Sequence, residues 1–251
     1  MPLLLGVNID HIATLRQARY ARSPQAHNAE PSPLVAAFDA LAGGADSLTI
    51  HVRGDRRHMQ DADALQIRAE LPLPLNFEMG VTAEMLAFAL QLKPDFACLV
   101  PENRAEITTE GGLDVIGNFG SIIDAVSQLQ DNGIRVSLFI DPELPQVEAA
   151  ARSGARMIEL HTGAFANASD DLRDLEIARL AAAARSAHAA GLQVNAGHGI
   201  NYSNISHLWA LPYLAELNIG HSIVARALRV GLTQAVRDMH QLMATYPPDV
   251  K

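Results

Sequence analysis

The sequence predicts a (β/α)8 barrel, a TIM barrel with extra helices in its βα connections. Eight short segments rich in Val, Ile, Leu or Phe alternate with helical patterns along 251 residues. This alternation is typical of parallel sheets, and eight units in a chain of this length favour a closed barrel. A Gly-x-Gly-x-x-Gly motif does not follow the first strand, which disfavours a dinucleotide-binding sheet. No linker interrupts the pattern, so we expect one catalytic domain over 1–251.

The predicted elements are bounded mostly by Gly, Pro, Asp or Asn. The strands cover residues 3–9, 47–52, 75–79, 96–100, 135–140, 156–161, 193–197 and 215–219. The clearest helices cover 33–43, 82–92, 119–132, 143–153, 173–190 and 222–245, the last broken near Gly231.

Three predicted connections, after strands 1, 4 and 6, are longer than the fold requires. They cover 11–32, 101–118 and 162–172, and all would lie at the C-terminal face, where barrel enzymes build their active sites. The second contains Gly111 and Gly112, which could serve as the hinge of a lid. A plain surface loop is an equally good interpretation.

Composition excludes several classes of function. The net charge of -9 disfavours general nucleic-acid binding, which needs a basic face. The apolar start Leu3–Val7 is too short to span a membrane, carries no sign of a targeting signal and is interpreted as the first strand. Cys98 is the only cysteine, which fits a reducing cytoplasm and is interpreted as a buried structural thiol.

The same Asn-x-x-His spacing occurs at the ends of strands 1, 7 and 8, which become neighbours when the barrel closes. The three copies run from Asn8 to His11, from Asn195 to His198 and from Asn218 to His221. Because strand side chains alternate, we expect each Asn to point into the barrel mouth and each His to begin the following segment. Gly199 and Gly220 would let backbone N–H groups approach a phosphate at a helix N-terminus.

Strands 2, 3 and 6 also carry polar residues on one face. His51 and Arg53 share a face of strand 2, and Glu78 and Glu159 are expected to point into the barrel. A buried carboxylate is costly unless it is paired or used. A structural salt bridge is the alternative, but together with His198 these groups favour acid–base chemistry, because imidazole titrates near neutral pH.

Two basic clusters follow strands 1 and 2. They contain Arg16 and Arg19, and then Arg53, Arg56, Arg57 and His58. Both could be solvated surface, but their place beside the predicted mouth favours phosphate clamps for some members. Two clamps would suit two phosphorylated substrates. No set of His, Asp and Cys has a familiar metal-ligand spacing, so we expect no metal site.

Nine segments, in order over nearly the whole chain, carry a family resemblance. They are GVNIDHIATLR (6–16), HVRGDRRH (51–58), NFEM (76–79), CLVPENR (98–104), TTEGGLDV (108–115), VSLFID (136–141), IELHTG (158–163), VNAGHG (194–199) and LNIGH (217–221). In these segments the chain closely resembles the pyridoxine 5′-phosphate synthase family.

The resemblance implies a cytoplasmic homo-octamer built from dimers that needs no organic cofactor. It implies the condensation of 1-deoxy-D-xylulose 5-phosphate with 3-amino-2-oxopropyl phosphate, giving pyridoxine 5′-phosphate, inorganic phosphate and water. By position in the motifs, His51 and Glu78 resemble the family's proton acceptors, His198 its proton donor, and Glu159 its transition-state stabiliser.

The resemblance also implies two substrate sites. The aminoketone phosphate site falls on Asn8, Arg19, Gly199, Gly220 and His221. The xylulose phosphate site falls on Asp10, His11, Arg53, His58 and Thr108, and the TTEGG segment would be the lid. Residues 20–32 depart from the family by being longer than expected after Arg19.

Two rival functions remain to be distinguished from this one. A phosphate-binding isomerase or aldolase also uses a barrel, but Lys93 and Lys251 are not placed for a Schiff base, and an isomerase would need one phosphate clamp only. A phosphate-binding barrel without catalysis would lack a His or Glu at the strand ends, and here they are all present.

Overall fold

The computed structural model describes residues 2–102 and 110–247. Eight parallel strands pair in sequence order, and β8 pairs with β1 to close a barrel. The strands are β1 (Leu4–Asn8), β2 (Ser47–His51), β3 (Leu75–Met79), β4 (Phe96–Leu99), β5 (Arg135–Ile140), β6 (Met157–His161), β7 (Gln193–Gly197) and β8 (Leu214–Ile219). Each lies within one residue of its predicted bounds, and the predicted fold class is confirmed.

Helices surround the barrel and also occupy some of its βα connections. They are α1 (Asp10–Tyr20), α2 (Pro33–Gly43), α3 (Asp61–Glu70), α4 (Ala83–Leu92), α5 (Phe119–Asp131), α6 (Leu144–Arg152), α7 (Gly163–Asn167), α8 (Asp170–Ala189), α9 (His221–Val230) and α10 (Leu232–Met243). A short 3₁₀ helix covers Ile205–Ala210. The predicted break at Gly231 is confirmed, since this residue has a φ of 83° between α9 and α10. Among the described helices, none is long and apolar enough to cross a membrane.

The predicted long connection after β1 is largely helical, because α1 begins two residues after the strand ends. Sequence reasoning missed this helix because its buried face is not an apolar stripe. Asp10 and Arg16 are buried on it together with Ile12 and Ala13.

The apolar core lies between the strands and the helices, whereas the barrel interior is polar. In β2, for example, Leu48 and Ile50 belong to the apolar core, and the alternating Ser47, Thr49 and His51 are also buried. Hydrogen bonds join such polar residues across the barrel, as between Thr49 and Asn218 at 2.9 Å. The helices therefore stabilise the barrel from outside, and its interior is free to carry functional groups.

One predicted position in the interior is wrong. Asn195 was expected in the mouth with Asn8 and Asn218, but it lines a small cavity of about 10 Å³ deeper in the barrel. The pairing of β7 with β8 explains this, because Asn195 is in register with Glu216, two residues before Asn218.

Candidate active site

A cavity of about 580 Å³ opens at the C-terminal mouth of the barrel. It is lined by nearly all the predicted site residues, namely Asn8, Asp10, His11, His51, Arg53, His58, Glu78, Glu159, His198, Gly199, Gly220 and His221. Two others differ. Arg19 is exposed in the last turn of α1 and is not among the lining residues, and Thr108 lies outside the described residues.

His51 lies at the end of β2 between two carboxylates. Its Nδ1 is 3.8 Å from Oε2 of Glu78, and its Nε2 is 3.0 Å from Oε1 of Glu102. Its backbone N–H donates to Oδ1 of Asp10 at 2.8 Å, which joins the ends of β1 and β2. The imidazole is only 4% exposed, so these contacts fix its position in the cavity wall.

Glu78 faces the same cavity from β3. Loss of solvation, and then the negative charges of Asp10 and Glu159, raise the pKa of Glu78 well above its ordinary value, although a hydrogen bond with Asn8 opposes the shift. A carboxyl group with a raised pKa is a stronger base once ionised and holds a proton more readily near neutral pH.

Glu159 lies deeper, where β6 faces β8 across the interior. Its Oε2 accepts a hydrogen bond from Nδ2 of Asn218 at 2.6 Å. Burial raises its pKa to about 8, against the opposing effect of that bond and with a further increase from Glu216. Within the described residues Glu159 forms no ion pair, so the structural salt bridge considered for it is not found.

His198 follows β7 with an unusual backbone. Its φ is +80°, a conformation that non-glycine residues seldom adopt and that is common at functional sites. The hydroxyl of Thr162 donates to the carbonyl of His198 and to that of Gly197, which holds this turn. Burial and then the nearby His161 lower the pKa of His198, making it a better proton donor.

Groups suited to anions surround the other side of the cavity. Arg53 is 2% exposed and His58 is 7% exposed, and both line the mouth. Nδ1 of His58 accepts the backbone N–H of Met59 at 2.8 Å, so in the neutral ring the proton is on Nε2. Gly220 caps the N-terminus of α9 without a side-chain hydrogen bond, which leaves backbone donors at the cavity edge.

His11 and His221 form a pair at this edge. Their Nδ1 atoms are 2.9 Å apart, so one ring donates and the other accepts, and at least one of the two rings has an unprotonated Nδ1. Burial, and then His221, lower the pKa of His11, although Asp10 opposes the shift.

Three other basic residues after β1 and β2 have structural partners. Arg16 is buried and forms two hydrogen bonds with Asp63, at 2.6 and 2.8 Å. Arg56 pairs with Asp61 and with Glu84, each at 2.7 Å. Arg57 pairs with Asp55 at 2.6 Å. Of the two basic clusters, only Arg53 and His58 line the cavity.

A cation could also be accommodated in the mouth. Asp10, His51 and Glu78 offer ligand atoms within 4.8 Å of one another. Both oxygens of Asp10 already accept hydrogen bonds, from the His51 backbone and from Asn8, so this set is better suited to proton transfer than to metal binding.

Sequence reasoning missed three acidic residues near the cavity. Glu102 contacts His51, Glu110 lines the mouth, and Oδ1 of Asp141 is 2.8 Å from Nδ1 of His161. Their signals were a place shortly after β4 or β5, or in the long connection after β4, and membership of the segments that carry the family resemblance.

Known proteins of similar sequence indicate the family of this chain. The family described as pyridoxal phosphate biosynthesis protein PdxJ matches residues 5–245. A pyridoxine 5′-phosphate synthase of Akkermansia muciniphila is 65% identical over 240 residues, covering 95% of this chain and 98% of that protein. A protein of the same name from Idiomarina loihiensis is 51% identical over 242 residues, covering 96% and 97%.

Solved structures of low identity share the fold alone. Phosphoribosyl anthranilate isomerase from Thermus thermophilus has a TM-score of 0.60 at 16% identity, covering 98% of this chain and all of that one. Tryptophan synthase of Mycobacterium tuberculosis has a TM-score of 0.62 at 11% identity, covering 98% and 92%. The fold, the cavity and the near full-length match together show that the chain belongs to the PdxJ family of pyridoxal phosphate biosynthesis proteins.

Proposed function

We propose that this chain catalyses the pyridoxine 5′-phosphate synthase reaction in the mouth of its barrel, with its whole length acting as one catalytic domain. It joins 1-deoxy-D-xylulose 5-phosphate to 3-amino-2-oxopropyl phosphate and releases inorganic phosphate and water. The observation that carries the assignment of the site is the convergence of His51, Glu78 and His198 on one cavity of about 580 Å³. A cavity of this size holds two small phosphorylated molecules.

Proton removal is the task of His51 and Glu78. Ring formation requires protons to leave carbon as the two substrates are joined and water is lost. The two bases are 3.8 Å apart, so they act on neighbouring atoms of a bound intermediate. Each general acid or base is typically worth about 10²–10⁴-fold in rate.

Proton donation is the task of His198. Departing water and phosphate leave more easily when their oxygen atoms are protonated. The lowered pKa of His198 favours release of its proton, and its turn is held by Thr162. Glu159, whose pKa is about 8, lies below this site and stabilises the changing charge of the intermediates.

Phosphate binding aligns the substrates. Arg53 and His58 form one site with Asp10, His11 and Thr108 for the xylulose substrate. Gly199, Gly220 and His221 form the other with Asn8, at the N-terminus of α9. Arg19, which does not line the cavity, would have to reach this site from the last turn of α1. Holding two reactants in register removes an entropic barrier on the order of several kcal/mol.

The test is a comparison of His51→Asn and Glu78→Gln with two matched surface variants, His207→Asn and Glu148→Gln. We expect both site variants to melt near the wild-type temperature and to lose at least about 10²-fold in turnover, while the surface variants keep theirs. Inorganic phosphate should be released only when both substrates are present, which separates a synthase from an isomerase or a binding protein. Near-normal turnover of both site variants would disprove the assignment.

The proposed setting is a homo-octamer built from dimers in the cytoplasm. Exposed apolar side chains on α2 and α9, including Val35, Phe38 and Leu228, supply surface for contacts between copies. Light scattering of the purified protein measures the mass directly, and a monomer at micromolar concentration would contradict the octamer.

A further inference from the structure

Glu102 contacts the imidazole of His51, and neither the motifs nor the family roles above give this carboxylate a function. It follows β4, and its carboxylate extends across the ends of β2 and β3. Oε1 is 3.0 Å from Nε2 of His51, and Oε2 accepts the backbone N–H of Gly54 at 3.1 Å. A Cβ at Gly80 would lie 3.0 Å from Cδ of Glu102, so the glycine leaves room for the carboxylate to approach.

We propose that Glu102 is a positioning residue that fixes the proton of neutral His51 on Nε2 and thereby presents the Nδ1 lone pair to the substrate beside Glu78. This inference rests on the proposed role of His51 as a proton acceptor. It assigns to Glu102 the orientation of the base, with no contact to the reacting atoms.

The ionisation of Glu102 supports this role. Burial opposes its ionisation, but the hydrogen bonds from His51 and then from Gly54 outweigh that effect and keep the pKa of Glu102 below its ordinary value. Glu78, on the other side of the same imidazole, has a raised pKa. One neighbour is therefore a fixed anion and the other a group that exchanges protons.

The hydrogen-bond chemistry determines the tautomer. An ionised carboxylate only accepts hydrogen bonds, so the Nε2 atom facing Glu102 must carry the proton. In the neutral ring Nδ1 then has a free lone pair, and this atom is the one that faces Glu78. A proton taken from a substrate carbon goes to Nδ1, and the resulting imidazolium is stabilised by the Glu102 anion, as in other carboxylate–histidine pairs.

The opposite tautomer would not serve as a base. Without Glu102, the proton of the neutral ring distributes between Nδ1 and Nε2. A ring with its proton on Nδ1 directs a donor towards Glu78 and its lone pair away from the reacting atoms. Only a fraction of the molecules would then be able to accept a proton on Nδ1, and the imidazolium that forms would lack the stabilising Glu102 anion.

The experiment uses Glu102→Gln, which keeps the size of the side chain. Its amide offers one acceptor oxygen where the carboxylate offers two. An oxygen kept for the N–H of Gly54 leaves a donor NH₂ facing Nε2 of His51, which no longer holds the proton on that atom. Asp55→Asn is the matched control, because Asp55 is next to Gly54 and pairs with Arg57 rather than with a catalytic group.

Two measurements are made on each protein. The first is the ¹⁵N chemical shift of the His51 ring in the substrate-free enzyme, assigned by comparison with His51→Asn, which distinguishes the two tautomers. The second is steady-state turnover with both substrates. We expect the Nε2–H tautomer in the wild type and in Asp55→Asn, and a mixture in Glu102→Gln with kcat lower by about 10²-fold and KM nearly unchanged.

The proposal requires both changes together. A fall in kcat with an unchanged tautomer, or a changed tautomer with unchanged kcat, would overturn it. If Glu102→Gln does not fold, the wild-type spectrum still decides, because an Nδ1–H tautomer there contradicts the proposal. The tautomer is read without substrate, so a chain that lacked synthase activity but showed the expected spectra would refute the proposed function and leave the Glu102–His51 pairing intact.

Discussion

Glu159→Gln should remove a pH dependence from the stability of the fold. The side chain of Glu159 is 3% exposed, and its described hydrogen bond comes from Asn218. Glutamine has the same size and can still accept that bond. The substitution therefore removes the titration of residue 159 while leaving the packing of β6 against its neighbours in place.

The raised pKa of Glu159 determines whether stability rises or falls with pH. The pKa of Glu159 is raised from 4.5 to about 8. Between these values the folded protein retains a proton that the unfolded chain has lost, so raising the pH favours unfolding. The contribution is fully present below 4.5 and is lost as the pH rises through about 8. Integration gives a loss on the order of 4 kcal/mol between about pH 5 and about pH 8.5.

The assay is urea unfolding of wild type and variant at a series of pH values and one fixed protein concentration, because assembly makes stability concentration-dependent. The difference in unfolding free energy between the two proteins isolates residue 159, since their other groups titrate alike apart from a smaller effect on Glu78. The variant should gain stability relative to wild type as the pH rises. Parallel curves would refute the reasoning and mean that Glu159 is ionised in the folded protein at neutral pH.

Two further predictions concern residues that support the site. Gly112→Ala should destabilise the protein by about 1–3 kcal/mol and impair turnover, because the new Cβ would lie 2.0 Å from the backbone N of Asp141. In the control Gly111→Ala the new Cβ meets nothing within 4 Å, so this variant should be neutral. Thermal melting compares the two variants, and equal effects would contradict the steric argument. Arg16→Gln should lower the free energy of unfolding by about 3–5 kcal/mol, because it leaves Asp63 buried and unpaired. Arg226→Gln should lower it by at most about 1 kcal/mol, because the arginine of that pair is 41% exposed. Similar urea midpoints for the two variants would disprove this ranking.

The sequence was sufficient to predict the barrel and most of the polar residues that line its mouth, because both follow from short-range rules. Side chains alternate along a strand, and parallel strands end at the same edge of a sheet. Those two facts place His51 and Glu78 in one cavity without any knowledge of the loops. A single-residue change of register would have turned these groups outwards, and the roles expected for them come from the family resemblance.

The stagger between strands could not be predicted in the same way. Asn195 and Asn218 have the same spacing to their histidines, yet Asn195 pairs with Glu216 and lies deeper in the barrel. The motif fixes distances along a strand, whereas the relative height of two strands depends on how the whole barrel closes. The place of Arg16 was equally hard to predict, because its partner Asp63 is 47 residues further along the chain.

Glu102 illustrates a third kind of missed residue. It lies beyond a strand, where no periodicity applies, and its contact with His51 depends on glycines at the ends of two other strands. Once placed, it completes a series of carboxyl groups with different proton affinities around one cavity: a lowered pKa at Glu102, a raised pKa at Glu78 and a value of about 8 at Glu159. Burial acts to raise the pKa of all three, and only at Glu102, which meets two donors, do the hydrogen bonds reverse the direction of the shift. A barrel with its apolar core outside the strands can hold such a series, because removing a proton inside the barrel changes charge without disturbing the packing that stabilises the fold.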